Sequence, residues 1–325
     1  MLTRRAALTL AAGSALALRG GAGRAQSFPT RSVTIIVPYP AGGPVDAVAR
    51  LIANEGMADL GQAIVVDNRA GGSGVIGSVA VARAEPDGHT MVLGTNQTHA
   101  TNESLIKNCP YQAVKDFAPV AGIADIPHVL VTRKDLPVAN PADLIALAKD
   151  KPGSLNYGST GNGSASHLAG ELFKVKTGVN AQHVPFRGAA PMTQELLAGR
   201  IDYAFATLPS VLGQIEAGEL KAMAVASARR AERLPSIPTL QEVGVAGVEA
   251  DAWFALFAPA KTPLSALERL YQSVSAALGK EGSKAVLARQ GMTLALRPPN
   301  AVAAWLPAEV EKWAAVIKAA NVSVD

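Results

Sequence analysis

Cysteine is almost missing from this chain: Cys109 stands alone, so no intrachain disulfide can form and a packed core must hold the fold. Charge is sparse as well, at 17% of 325 residues, and the net +4 is misleading. The first 25 residues contain Arg4, Arg5, Arg19 and Arg24 and no acid, so the remainder is formally neutral. That argues against nucleic acid as a partner, and no basic stripe with interleaved aromatics restores the case. No apolar run reaches the roughly 20 residues of a bilayer span. The five histidines (89, 99, 128, 167 and 183) never fall three or four apart, which removes the paired helical ligands of a metal site. A Gly-x-Ser-x-Gly elbow is absent, and no glycine turn is followed by Gly-Lys-Ser/Thr. Neither a hydrolase nucleophile nor a Walker phosphate loop is therefore expected.

What the chain does have begins with a leader. Thr3-Arg4-Arg5, the apolar run Ala6 to Leu18 and the small residues Gly23-Arg24-Ala25 read as a secretory signal cut before Gln26. The paired arginines fit twin-arginine export, but Ala6-Ala7-Leu8 lacks bulky residues after them, and Sec export is the alternative. The mature product is expected to be exported and monomeric.

Beyond the leader, strand and helix signals alternate, which predicts an α/β sheet architecture with helices on both faces. Val33 to Val37 is a short β-branched run of the kind that forms a buried parallel strand. Pro38 and Pro40 stop it, Ala41-Gly42-Gly43 is a bare turn, and Pro44 suits a first helical position. Such a turn leaves unpaired N–H groups at the positive end of a helix dipole, a ready site for a carboxylate or phosphate. The pattern recurs at Ser159-Thr160-Gly161-Asn162-Gly163-Ser164 and at Phe186-Arg187-Gly188. Near Ile126-Pro127 the chain changes body, and Trp253 to Phe257 reads as a strand returning to the first one. The expected division is a leader at 1–25, a first lobe at 26–126, a second at 127–250, and a return to the first at 251–325. Three C-terminal helices close the chain on the first lobe.

Several residues admit two readings. Gly72-Ser73-Gly74-Val75-Ile76-Gly77 matches a dinucleotide fingerprint, but the next strand ends in Gly94-Thr95-Asn96 without the required acid. A glycine turn that lets a helix pack closely explains it better. Asp46 fits a third helical residue that caps the backbone, and His167 fits either a cleft ligand or a satisfied helix histidine. Arg187 fits a carboxylate clamp or an exposed cation. Ser159, Ser164 and Ser166 have no evident base and acid partners and suit hydroxyl donation to an anion.

Taken together, VTIIVPYPAGGPVDAVAR, IVVDNRAGGSGVIG, EPDGHTMVLGT, NYGSTGNGSASHLAGELF, HVPFRGAAP, GRIDYAFA and WFALFAPAKTP resemble, in order and over nearly the whole mature chain, the Bug-type periplasmic solute receptors. These are the substrate-binding proteins of tripartite tricarboxylate transporters. The resemblance implies a periplasmic binding protein fold of two Rossmann-like lobes closing on a small carboxylate, with no cofactor, no metal and no catalysis. It implies membrane transporter subunits as partners. A sensor-kinase ectodomain is an alternative partner, and an enzyme on the same fold an alternative function. In that family backbone groups of two loops and bridging waters hold one carboxylate. The corresponding loops here are Ala41-Gly42-Gly43 and Thr160-Gly161-Asn162-Gly163-Ser164. With their neighbours, the expected ligand-binding set adds Tyr39, Asp46, Thr95, Thr98, Ser159, His167, Arg187 and Thr207. Many relatives carry lysine where Arg187 stands, so distal specificity does not transfer.

Overall fold

The computed structural model describes residues 28–324; the leader read at 1–25 lies outside them. Two open sheets carry the architecture. The first has six strands: β1 (Val33–Val37), β2 (Ile64–Asn68), β3 (Thr90–Thr95), β4 (Phe117–Ile126), β10 (Ala252–Pro259) and β11 (Thr293–Arg297). Their spatial order is β11-β4-β10-β3-β1-β2. The second has five: β5 (His128–Arg133), β6 (Asn156–Ser159), β7 (Gln182–Pro185), β8 (Tyr203–Thr207) and β9 (Leu220–Val225), in the order β7-β6-β8-β5-β9.

Register decides which ends of these strands meet. Phe254, at the start of β10, lies opposite both Thr95 and Ala124, so β3 and β4 end on one edge of the first sheet. In the second sheet His128 lies opposite Thr207 and Val129 opposite Val225, so β8 and β9 end where β5 begins. Only Pro127 separates β4 from β5. The carboxyl ends of both sheets are thereby turned toward each other, the position where open α/β sheets bind ligands.

Helix α1 (Pro44–Leu60) follows the reading of its sequence: Pro44 opens it, and Gly61 closes it in the left-handed conformation with its N–H on Met57 O. Val45, Val48, Ala49, Ile52 and Ala53 are buried as an apolar stripe, against α8 (Leu264–Leu278) among others. On the second sheet α5 (Ala165–Thr177) and α4 (Pro141–Asp150) cover one face. Two further helices, α6 (Ala189–Leu197) and α7 (Leu208–Glu216), cover the other. The remaining helices, all on the first lobe's side, are α2 (Val75–Ala82), α3 (Asn102–Leu105), α9 (Glu281–Arg289) and α10 (Pro299–Ala319).

The C-terminal helices pack on the first lobe, but not on it alone. Helix α10 also touches α5, and one apolar cluster joins Phe117 and Trp313 to Tyr157, Phe173 and Phe205 of the second lobe. Its last turn continues into Val322 and Val324, which pack against the same cluster. The lobes are thus tied by more than two thin crossings.

Candidate functional site

The first glycine loop leaves donors free. Gly43 is the N-cap of α1 in an extended conformation and offers no side-chain cap. Asp46 serves the turn from inside: its Oδ2 accepts the N–H of Gly42 at 2.9 Å and Arg50 Nε at 2.9 Å. That hydrogen bond to Arg50, with the Gly42 N–H, holds the buried carboxyl down to about 2. Asp46 Oδ1 is buried and has no partner among the described residues. The N–H groups of Ala41 and Gly43 likewise find no acceptor there, and those of Val45 and Asp46 precede the first intrahelical bond, Ala47 N–H to Gly43 O. Gly42 itself sits at φ +84°, with nothing within 4 Å of a would-be Cβ.

Beside this loop Tyr39 reaches across to the end of β3. Its hydroxyl lies 2.8 Å from Thr95 Oγ1 and donates to Gln97 Oε1 at 3.2 Å. Burial pushes the phenol up to about 12, so it is neutral. Asn96, whose Nδ2 is buried without a partner among the described residues, completes this edge. Asn96 and Gln97 are not among the expected ligand residues, and their polar side chains directly after the strand end at Thr95 are the only signal the sequence gives of them. Thr98 corrects the expected set. It is 1% exposed, and its hydroxyl accepts Thr95 N–H at 2.9 Å and meets His99 Nδ1 at 2.8 Å. It builds the turn from inside and presents nothing to a ligand.

The fingerprint-like glycines are accounted for by packing. A Cβ on Gly77 would stand 2.9 Å from Pro38 Cα, and one on Gly74 would stand 2.5 Å from Thr98 Cγ2. Their absence lets α2 approach the first loop closely.

The second loop is built differently. Thr160 N–H donates to Ser166 Oγ at 2.9 Å, Gly161 N–H to Ser159 Oγ at 3.1 Å, and Gly163 N–H to His167 Nδ1 at 3.0 Å. Ser164 N–H reaches Gly161 O, and Ser164 Oγ caps α5 by accepting from His167 N–H at 3.3 Å. Gly163 is buried against Leu105 and Val324. Its N–H is already engaged, so it does not offer the expected anchor. Only Asn162, exposed at the tip, and the first-turn residues Ala165 and Ser166 keep N–H groups without an acceptor among the described residues. The hydroxyls of Thr160 and Ser164 each lie 3.0 Å from Ser166 Oγ.

Two further expected residues are turned inward. Ser159 is fully buried, and His167 is 5% exposed with its Nδ1 committed to Gly163. Ser159 also has a partner that the sequence did not reveal, His183 Nε2 at 2.7 Å. The pair resembles a nucleophile and its base, but Ser159 Oγ has no surface for a substrate and is bonded to both the N–H and the carbonyl of Gly161. At the rim, Arg187 is exposed on the loop after β7 and makes no ion pair among the described residues. Thr207 is half-buried, donating to Ser210 Oγ at 3.2 Å. No group of three or more His, Cys, Asp or Glu side chains among the described residues is placed to share a metal ion.

Known proteins agree with this architecture. The family model described as the tripartite tricarboxylate transporter family receptor matches residues 48–322. Protein BugT of Bordetella pertussis is 35% identical over 295 residues, covering 90% of each chain. A solved R. palustris protein, Rpa4515 with adipate, is 39% identical, with a TM-score of 0.79 over 91% of this chain and all of that one. MatC from Rhodopseudomonas palustris with bound malate is 34% identical, with a TM-score of 0.76 over 89% of this chain and all of that one. The two-lobed α/β fold is what the solved relatives share with it, and the chain belongs to the tripartite tricarboxylate transporter receptor family.

Proposed function

We propose that this chain is an exported receptor that captures a small carboxylate between its lobes and delivers it to a membrane transporter. One observation carries the reading: the uncapped N-terminus of α1, where Gly43, Val45 and Asp46 present N–H groups without acceptors. An anion seated there gains from the helix dipole and from charge-assisted hydrogen bonds. Asn162 contributes from the opposite loop, and Tyr39, Thr95 and Arg187 flank the ligand. The orphan acceptor Asp46 Oδ1 and orphan donor Asn96 Nδ2 suit ordered waters that bridge to it. The adipate and malate in related structures support the carboxylate class. The leader motif and the name of the solved relative BugD, a periplasmic binding protein, support the periplasm as its compartment. No helix of the described residues is long and apolar enough to cross a membrane.

A melting screen tests this. Mono-, di- and tricarboxylates at a hundredfold excess over Kd should stabilise the fold by about 2.7 kcal/mol, a shift of a few degrees. The bound acid should be recovered chemically unchanged after long incubation. Turnover, or stabilisation by a nucleotide with no carboxylate hit, overturns the proposal. Because a ligand retained through purification masks the site, the screen is repeated on refolded protein.

A further inference from the structure

Behind the second loop two imidazoles lie face to face. The rings of His167 and His183 stack with centroids 3.7 Å apart and planes 4° from parallel. His183 stacks in turn on Tyr157 at 4.9 Å, and Tyr157 on Tyr203 at 5.6 Å. Gly163 N–H donates to His167 Nδ1 at 3.0 Å, so that nitrogen is unprotonated and the proton sits on Nε2, facing Glu171 Oε1 at 3.8 Å. His183 Nε2 meets Ser159 Oγ, the atom that accepts Gly161 N–H. Gly161 and Gly163 hold φ of +137° and +70°, which glycine adopts freely, so their own backbone preference does not fix the loop and the side-chain tethers select its shape. Asn162, the exposed tip, lies between them.

We infer that His167 is a positioning residue of the ligand loop: its unprotonated Nδ1 fixes Gly163 and so aims the Asn162 N–H, while His183 is the platform that holds the ring. This rests on the carboxylate reading above, but the tether belongs to the loop and can be observed without ligand.

The surroundings keep the ring able to accept. Burial is the largest influence and holds both imidazoles well below the ordinary histidine range. The Lys174 ammonium of α5 opposes a charge on either ring, and a second imidazolium stacked on the first would repel it. Glu171, also on α5, favours a charge on His183, but Tyr157 at 2.5 Å and Lys174 at 2.8 Å already engage it. Tyr157 of β6 and Tyr203 of β8 complete the column as neutral phenols, burial raising both. In acid, a proton on Nδ1 would face the Gly163 N–H donor and release the loop.

The test has two arms. In isotope-labelled protein without ligand, the Gly163 amide and the His167 ring, which burial lowers to about 4, are followed by NMR from about pH 7.5 down to about pH 3. The amide should shift with the ring's own titration; an amide that ignores it overturns the inference. Calorimetry with adipate and malate at about pH 7.5 then compares two variants. His167→Gln retains an acceptor and should bind within about threefold of wild type, whereas His167→Phe stacks but accepts nothing and should weaken binding about tenfold or more. Wild-type affinity in a folded Phe variant overturns the inference. Should the Phe variant fail to fold, or wild type bind no carboxylate, the amide titration still decides; the latter result counts against the functional reading alone.

Discussion

The loops at 38–43 and 160–164 each join a strand to a helix, and both are rich in glycine, yet they treat their N–H groups in opposite ways. The first leaves Gly43 uncapped and uses one buried acid, Asp46, to hold Gly42 from behind. The second caps its helix with Ser164 and commits the N–H groups of Thr160, Gly161 and Gly163 to Ser166, Ser159 and His167. Among the described residues only Asn162 keeps a free N–H in the loop ahead of the helix. A glycine turn is thus not by itself an anion site: what matters is whether side chains behind it have already claimed the donors. The first loop is built to grip a charge, the second to keep a shape.

Equivalent substitutions should break the two loops in different ways, and the largest effect is expected at the first. Gly43 has an ordinary φ of −81°, and a Cβ there would lie 3.7 Å from Pro40 O. Gly43→Val should therefore fold normally and crowd the anion, with affinity for a carboxylate falling about a hundredfold or more, some 2.7 kcal/mol by calorimetry. Wild-type affinity in this variant would remove the first loop from the site.

Gly163→Val should fail on stability instead. Its φ is +70°, and a Cβ would stand 2.8 Å from Leu105 Cδ1 and 2.9 Å from Val324 Cγ1. Left-handed strain in a β-branched residue and overpacking together should cost about 2–5 kcal/mol in urea denaturation. An unchanged unfolding midpoint would mean that the second loop does not pack against α3 and the C-terminal residues as described.

Acid should expose the same contrast. Asp46 is lowered to about 2, so its stabilising contribution is present above the ordinary carboxylate range and is lost only as pH falls toward 2. The buried histidines act earlier. Desolvation lowers His99 to about 3 and His128 to about 4, so the folded state binds fewer protons than the unfolded chain below about pH 6.5. Each such ring should withdraw about 1.4 kcal/mol per pH unit between there and its folded value. Urea midpoints measured between about pH 7 and pH 5 should drop accordingly, before Asp46 is affected. Asp251, which burial raises to about 7, contributes stability over the same interval as pH falls and offsets one ring. A flat or rising midpoint as pH falls would show that the two rings are not both held neutral.

How much of this was written in the sequence depends on whether the signal was local. Strand β1, α1 and α5 announce themselves through a β-branched run, Pro44 and 3.6-residue periodicity, and the structure has them there. Strand β4, FAPVAGIADI, carries small residues, Pro119 and two register shifts against β10, so neither alternation nor a long apolar run marks it. Strand β11 pairs with one neighbour at the edge of its sheet, and α7 starts directly after β8 without a punctuating loop. In the site, the positions of the glycine turns were legible but the fate of their donors was not. Ser159 is claimed by His183, 24 residues away on another strand, and Thr98 folds back on Thr95. Polar residue types were visible; the direction in which each one points was not.

The smallest effect should come from Arg187. In the sequence it fits either a carboxylate clamp or an exposed cation, and its exposure in the structure sets the magnitude expected of a clamp. An exposed guanidinium is hydrated before the ligand arrives and screened afterwards, which limits such a pair to about 1 kcal/mol or less. Arg187→Ala should then weaken a dicarboxylate such as adipate by less than about tenfold, and a matched monocarboxylate hardly at all. The difference should shrink further in about 0.5 M salt, where exposed charges are screened over a few ångströms, while the grip of the first loop should persist. A loss of a hundredfold or more that resists salt would mean that the lobes close over Arg187 and desolvate it when ligand binds. The second lobe would then contribute a charge as well as a shape, and the contrast between the two loops would hold only for the open receptor.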